Sequence, residues 1–124
     1  GEEKVHLLGI DAPEKANSSL YIGDQEPYAS RSEIHLRTLI LSEPHVEIRR
    51  AKKKDTYGRT LAYVFAGGKN VNAEMVRSGN AWEAVSQYGS QGMTAEAEAV
   101  RRAWSEVERP KFESPFEWRR TNKR

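Results

Sequence analysis

An aspartate and a glutamate stand three residues apart at the end of an apolar run, in Val5-His6-Leu7-Leu8-Gly9-Ile10-Asp11-Ala12-Pro13-Glu14. Two carboxylates on one short loop can divide labour, one gripping a hard cation through oxygen while the other orients a water. Downstream, Asp55-Thr56-Tyr57-Gly58-Arg59 supplies an arginine whose planar fork suits a phosphate. Together the two segments point to metal-assisted phosphodiester chemistry. Each residue also has an ordinary reading. Asp11 beside Pro13 can be a turn aspartate bonding its own backbone, Glu14 an exposed loop carboxylate, and Arg59 a strand-edge arginine paired with Asp55. Asp55 itself reads as the residue that shapes the turn before Gly58, and Trp82, Trp104 and Trp118 read as core or helix-docking residues.

The elements that hold these side chains follow from the apolar pattern. Residues 4–11 read as one strand covered on both faces, with Val5 and Leu7 against Leu8 and Ile10. Pro13 stops it, because proline cannot donate to a ladder. Residues 15–26 are rich in turn formers and read as a loop. From Pro27 to about Leu41, the residues Ile34, Leu36, Leu39 and Ile40 give a rough helical stripe, with Pro27 suited to the first turn. Val46 to Arg50 and Thr60 to Phe65 read as an antiparallel pair joined by a basic loop, the second alternating Leu61, Tyr63 and Phe65 against Thr60, Ala62 and Val64. Gly67-Gly68 makes a turn, and a short helix from about Val71 ends at Gly79. Thr94 is expected to cap a third helix, with Glu96 and Glu98 near its positive end and Arg101 and Arg102 near its negative end. Strand, helix, hairpin, helix, helix predicts the α+β class.

A chain of 124 residues has room for one domain, 1–124, with a modest core, and residues 105–124 read as its C-terminal tail. The absence of cysteine excludes disulfides, thiolate metal sites and a cysteine nucleophile, and it leaves the compartment open. No apolar run approaches the ~20 residues of a membrane span, and residues 1–20 lack the basic-then-apolar pattern of a signal peptide. The expectation is a soluble protein of unknown compartment, secreted or periplasmic if a leader has been removed. A net charge of +2 excludes a global polycation. Arg49, Arg50, Lys52, Lys53 and Lys54 nevertheless cluster just before Asp55, and Arg119, Arg120, Lys123 and Arg124 close the chain. A charge run is usually a solvated loop, but beside a phosphate site it favours nucleic acid.

From about Val5 to Arg120 the chain resembles the staphylococcal-nuclease-like (thermonuclease) family. The strand running into Asp-Ala-Pro-Glu, the Asp-x-Tyr-Gly-Arg-x-Leu-Ala-Tyr-Val segment at 55–64, and Lys69-Asn70-Val71-Asn72 leading into Met75-Val76-Arg77-Ser78-Gly79 carry the resemblance, in order. Ser114-Pro115-Phe116-Glu117-Trp118-Arg119-Arg120 is similar to the tail of bacterial members. The resemblance implies an oligonucleotide-binding-type, five-stranded barrel with about three helices, its first strand or strands missing from this chain. It also implies a calcium-dependent nuclease acting on DNA or RNA through metal-activated water, with single-stranded nucleic acid as the partner. The metal would sit at Asp11 and the Ala12 carbonyl, Glu14 would act on the attacking water, and Arg59 with His6 would hold the phosphate. Tyr57 matches a residue near the substrate phosphate, Lys54 would add charge, and Tyr88, in the loop after Val85, would stack on a base.

Two departures from the family pattern stand out. The family usually has a second phosphate-binding arginine where this chain has His6, which is shorter and not bidentate. By analogy with other removed oxyanion donors, the penalty is on the order of 10²–10³ in rate. The family also carries a metal-binding aspartate on an earlier strand, within an Asp-Gly-Asp-Thr-like segment, and no such segment precedes Val5 here. The expectation is that the chain is the remainder of a longer protein. The rival reading is a nucleic-acid-binding module that kept the fold and lost cleavage, which explains both His6 and the missing aspartate but leaves Asp11, Glu14 and Arg59 together without a reason. A fold used for protein contacts has no residue in its favour.

Overall fold

The computed structural model describes residues 2–124. Six short strands and five helices follow one another as β1 (Val5–Leu7), β2 (Ile10–Asp11), α1 (Tyr28–Leu41), β3 (Val46–Arg50), β4 (Thr60–Ala66), β5 (Lys69–Asn70), α2 (Val71–Arg77), β6 (Trp82–Glu83), α3 (Val85–Tyr88), α4 (Thr94–Ser105) and α5 (Pro115–Thr121). The class is α+β. Strand β4 is the hub: β1 runs parallel to it, β3 and β5 antiparallel, while β2 and β6 form a separate antiparallel pair. The basic loop joins β3 to β4 as the alternation predicts. Both faces of β4 are covered, however, with Tyr63 as deeply buried as Ala62.

The expected single strand over 4–11 is cut in two, and the cut matters for function. Gly9 takes a φ of +75°, a region that a side chain strongly disfavours. A Cβ there would also lie 2.5 Å from the Tyr63 hydroxyl. The kink moves the chain from one partner to another. Leu8 still donates its N–H to Ala62 O at 2.9 Å, but Gly9 O accepts from Ala84 N at 2.8 Å, and Asp11 then pairs with Trp82. The carbonyl of Leu8 is met by Asn72, a fully buried side chain whose Nδ2 donates to Leu8 O at 2.8 Å and Ala62 O at 3.2 Å, while its Oδ1 accepts from Val64 N at 3.0 Å. One amide thus serves three buried backbone groups, of which Ala62 O also accepts from Leu8 N.

Around this junction Leu8, Ile10, Tyr63, Val71, Met75, Val76 and Val100 form the core. Helix α2 is capped by the Asn70 side chain, which accepts from Ala73 N, and it ends as expected before Gly79, at φ +77°. In α1, Leu36, Leu39 and Ile40 pack on the core, but Ile34 is 63% exposed, so the stripe is narrower than the sequence suggests. Pro27 precedes the helix as its N-cap rather than sitting in the first turn. Thr94 is likewise the first helical residue of α4 and not its cap, which is Met93 without a side-chain bond.

Among the described residues, five helices replace the expected three or so. The two additions, α3 and α5, are four and seven residues long, too short for a 3.6-residue period to register. Helix α5 does carry a local start signal, the Ser114 hydroxyl accepting from Glu117 N ahead of Pro115. No helix among the described residues is long and apolar enough to cross a membrane.

Candidate active site

The β2–β6 pairing delivers Asp11 to the rim of a cleft of about 700 Å³. His6, Asp11, Ala12 and Glu14 line it from the first segment, Asp55, Tyr57 and Arg59 from the β3–β4 hairpin, and Tyr88 from α3. Residues placed far apart in the chain therefore converge. Lys54 does not line this cleft; it shares a neighbouring depression with Tyr57, Gly58 and Arg59. Tyr57 and Tyr88 are 75% and 54% exposed at the rim, and the Arg59 guanidinium lies over the Tyr57 ring, 5.7 Å from its centroid. Tyr88 stands at the end of a short helix and not in a loop.

The loop after Asp11 is fixed by Gln25, a buried side chain that sequence reasoning passed over. Its Oε1 accepts from Glu14 N at 3.1 Å, its own N–H donates to Glu14 O at 2.8 Å, and its Nε2 donates to Glu113 O at 2.8 Å. Glu14 thus rides on a braced backbone. The hairpin turn is fixed by Asp55, whose Oδ1 accepts from Tyr57 N at 2.9 Å and Arg59 N at 2.8 Å while Gly58 takes φ +79°. Arg59 Nε donates to Asp55 Oδ2 at 2.5 Å. The strand-edge pairing foreseen for Arg59 is therefore present, in a residue that lines the cleft. Burial by itself raises the Asp55 carboxyl, but the backbone and side-chain bonds from Arg59 outweigh it and hold it below the usual carboxylate range. His6 moves the other way from a phosphate-gripping cation: loss of hydration first, then the positive charge of Arg59, push it below 6.5, against the pull of Asp55 and Asp11.

The residue that the sequence did not announce is Arg119, on α5. Its Nη2 donates to Asp11 Oδ2 at 2.7 Å, and its Nη1 donates to Asp11 Oδ1 at 3.0 Å and to Glu14 Oε1 at 3.1 Å. Burial would lower this guanidinium, but the bonds and charge of Asp11, followed by those of Glu14, shift it upward overall. The side chains are 19%, 14% and 26% exposed for Arg119, Asp11 and Glu14, so water screens the cluster only in part. A divalent cation, which the resemblance implies, does not fit these residues as they stand. Both oxygens of Asp11 and one of Glu14 already hold a cation, and among the described residues no group of three or more His, Asp or Glu converges on a common point.

Residues 4–107 match the family described as staphylococcal nuclease homologue. The chain belongs to that family. It is similar to a micrococcal nuclease of Shigella flexneri, 35% identical over 136 residues that cover 97% of this chain and 70% of the relative. It is also similar to a protein named an uncharacterized endonuclease from Haemophilus influenzae, 33% identical over 126 residues, and there it spans 62% of the relative's length. A thermonuclease of Staphylococcus intermedius is 33% identical over 79 residues, 63% of this chain and 45% of the relative. In this staphylococcal nuclease homologue, Arg119 lies beyond the matched 4–107 segment. Only its place in the Trp118-Arg119-Arg120 tail motif hinted at it, and a basic cluster near a terminus reads as solvated by default.

Proposed function

We propose that this staphylococcal nuclease homologue takes part in hydrolysing phosphodiester bonds of DNA or RNA, with water as the nucleophile. One observation carries the reading: Glu14, Asp11 and Arg59 come from two segments of the chain and line the same cleft. Arg59 is oriented through Nε by Asp55, which leaves its two Nη nitrogens to face phosphate oxygens, where they stabilise the charge that grows as the bond breaks. Glu14, braced by Gln25, positions or deprotonates the water. His6 donates a weaker bond to the same phosphate. Tyr57 and Tyr88 offer stacking faces and no base-edge code, which suits single-stranded substrate of either sugar. Lys52, Lys53 and Lys54 add a sequence-independent pull on the backbone.

The finer parts of the reading rest on the family resemblance. They are calcium at Asp11 and the Ala12 carbonyl and a barrel of the oligonucleotide-binding type around β4; a single domain over 1–124 rests on chain length. Calcium at Asp11 requires Arg119 to give way. The test is cleavage of single-stranded DNA and RNA with calcium, with magnesium and with chelator, with retention scored on a gel from the same tubes. Calcium-dependent cutting is expected, and Glu14→Gln is expected to abolish it while sparing retention. Retention indifferent to chelator and without cutting would replace the nuclease with a binding module.

A further inference from the structure

We propose that the Arg119 guanidinium is the resident cation of the Asp11 and Glu14 carboxylates, so that a divalent cation and the docked α5 helix exclude one another. The proposal rests on the nuclease reading only in taking a divalent cation as the competitor. Its basis is the disagreement between that cation and the site. Arg119 engages Asp11 with a two-pronged fork and reaches Glu14 with the same Nη1, so it stands where the two carboxylates converge. A dication entering there meets a fixed positive charge within a few ångströms, in a place only partly reached by water. With no third acidic or histidine ligand converging among the described residues, a second cation would meet only the second oxygen of Glu14 outside the Arg119 bonds.

The fold also gives the guanidinium a way to leave. Helix α5 and the residues just after it are tied to the 20–22 segment by two backbone bonds, Ile22 N to Asn122 O at 2.8 Å and Arg124 N to Leu20 O at 3.0 Å, and by the edge-on packing of Tyr21 and Trp118 at 5.9 Å. Leu20 and Ile22 are more than half exposed. These ties at the C-terminal end of α5 run along the surface, where backbone bonds exchange readily with water, while Pro115 at its first residue is buried, so release starts from the end that carries Arg119. Cation entry and α5 release are then two sides of one linkage: whatever strengthens docking weakens the cation, by the same factor. The alternative is that Arg119 organises the carboxylates for a cation that joins it. The two arrangements differ in sign when Arg119 is removed.

The experiment is calorimetric titration of the full chain with calcium, comparing wild type with Arg119→Gln and Arg119→Lys, alongside amide hydrogen exchange. Arg119→Gln is expected to bind calcium at least tenfold more tightly than wild type, and Arg119→Lys, which keeps the charge but loses the fork, several-fold more tightly. In wild type, saturating calcium is expected to speed exchange at the amides of Ile22 and Arg124. If Arg119→Gln does not fold, which circular dichroism reports, Arg119→Lys decides. Equal or weaker binding in the variants, no binding in any of them, or unchanged exchange at those amides with calcium bound overturns the proposal. So does calcium binding that survives Asp11→Asn in the Arg119→Gln background. Cleavage scored on the same samples separates the two ideas, because tighter calcium binding without cutting supports the linkage while removing the nuclease.

Discussion

Two arginine–carboxylate pairs face the same cleft, and they are built on different scales. Arg59 and Asp55 lie four residues apart inside one hairpin turn, whereas Arg119 reaches Asp11 across 108 residues. The local pair needs only a tight turn, and its carboxylate is at least as busy with backbone N–H groups as with the guanidinium. The distant pair exists only once α5 has docked, and its arginine is half as exposed, 19% against 40%. A local pair therefore orients one side chain, while a distant pair closes a tertiary junction and decides what charge two carboxylates see.

The contrast makes opposite demands on the two arginines. Arg59→Ala is expected to lower cleavage on the order of 10²–10³, read in single-turnover assays, with little change in thermal stability because the Asp55 bonds to Tyr57 N and Arg59 N survive. A large loss of stability would mean that Arg59 is a structural closure like Arg119. Conversely, Arg119→Gln without added cation is expected to cost about 3 kcal/mol, the scale on which a mostly buried pair fails when one partner goes. Denaturant midpoints measure it, and the double variant with Asp11→Asn should recover part of the loss. Independence of the two substitutions would break the junction reading.

His6 lies between the pairs and carries a smaller effect, with a definite sign. Its folded value is depressed, so it takes up a proton only below the ordinary range near 6.5, and a bound phosphate favours the protonated form. Affinity for single-stranded DNA is expected to rise as pH falls through and below 6.5, by about tenfold for a bond that becomes charged. His6→Arg should bind tightly and show no such pH dependence. Fluorescence anisotropy at constant ionic strength tests both, and a flat profile in wild type would remove His6 from the phosphate.

How much of this was legible in the sequence follows the same division of scale. The β3–β4 hairpin, the Asp55 turn and the Gly79 helix end are local, so composition and spacing exposed them. The convergence of Asp11, Glu14, Arg59 and Tyr88 came from the family resemblance, since no period links residues on separate elements. The cut at Gly9 stayed hidden because a run apolar on both faces looks like one strand, and only the switch from Ala62 to Ala84 as backbone partner reveals the break. Gln25, Asn72 and Arg119 were missed for one physical reason. Each is a polar side chain whose role is set by partners distant in the chain, and in sequence such residues are indistinguishable from surface ones.

The smallest effect belongs to Asp55→Asn, and it is the most exacting test of the local pair. The amide keeps an oxygen for Tyr57 N and Arg59 N, so the turn persists while Arg59 loses its charged partner. Stability at neutral pH should fall by a fraction of the Arg119→Gln effect. The pH dependence is more telling. Asp55 is depressed below 3.8 in the folded chain, so it contributes stability above the unfolded value and loses it as pH falls through the folded one. Asp55→Asn should therefore show a flatter stability profile below pH 4 than wild type, in melts compared across that window. If the variant instead unfolds as readily as Arg119→Gln at neutral pH, the charge of Asp55 rather than its oxygen geometry holds the turn. The two pairs would then be the same device at two chain separations.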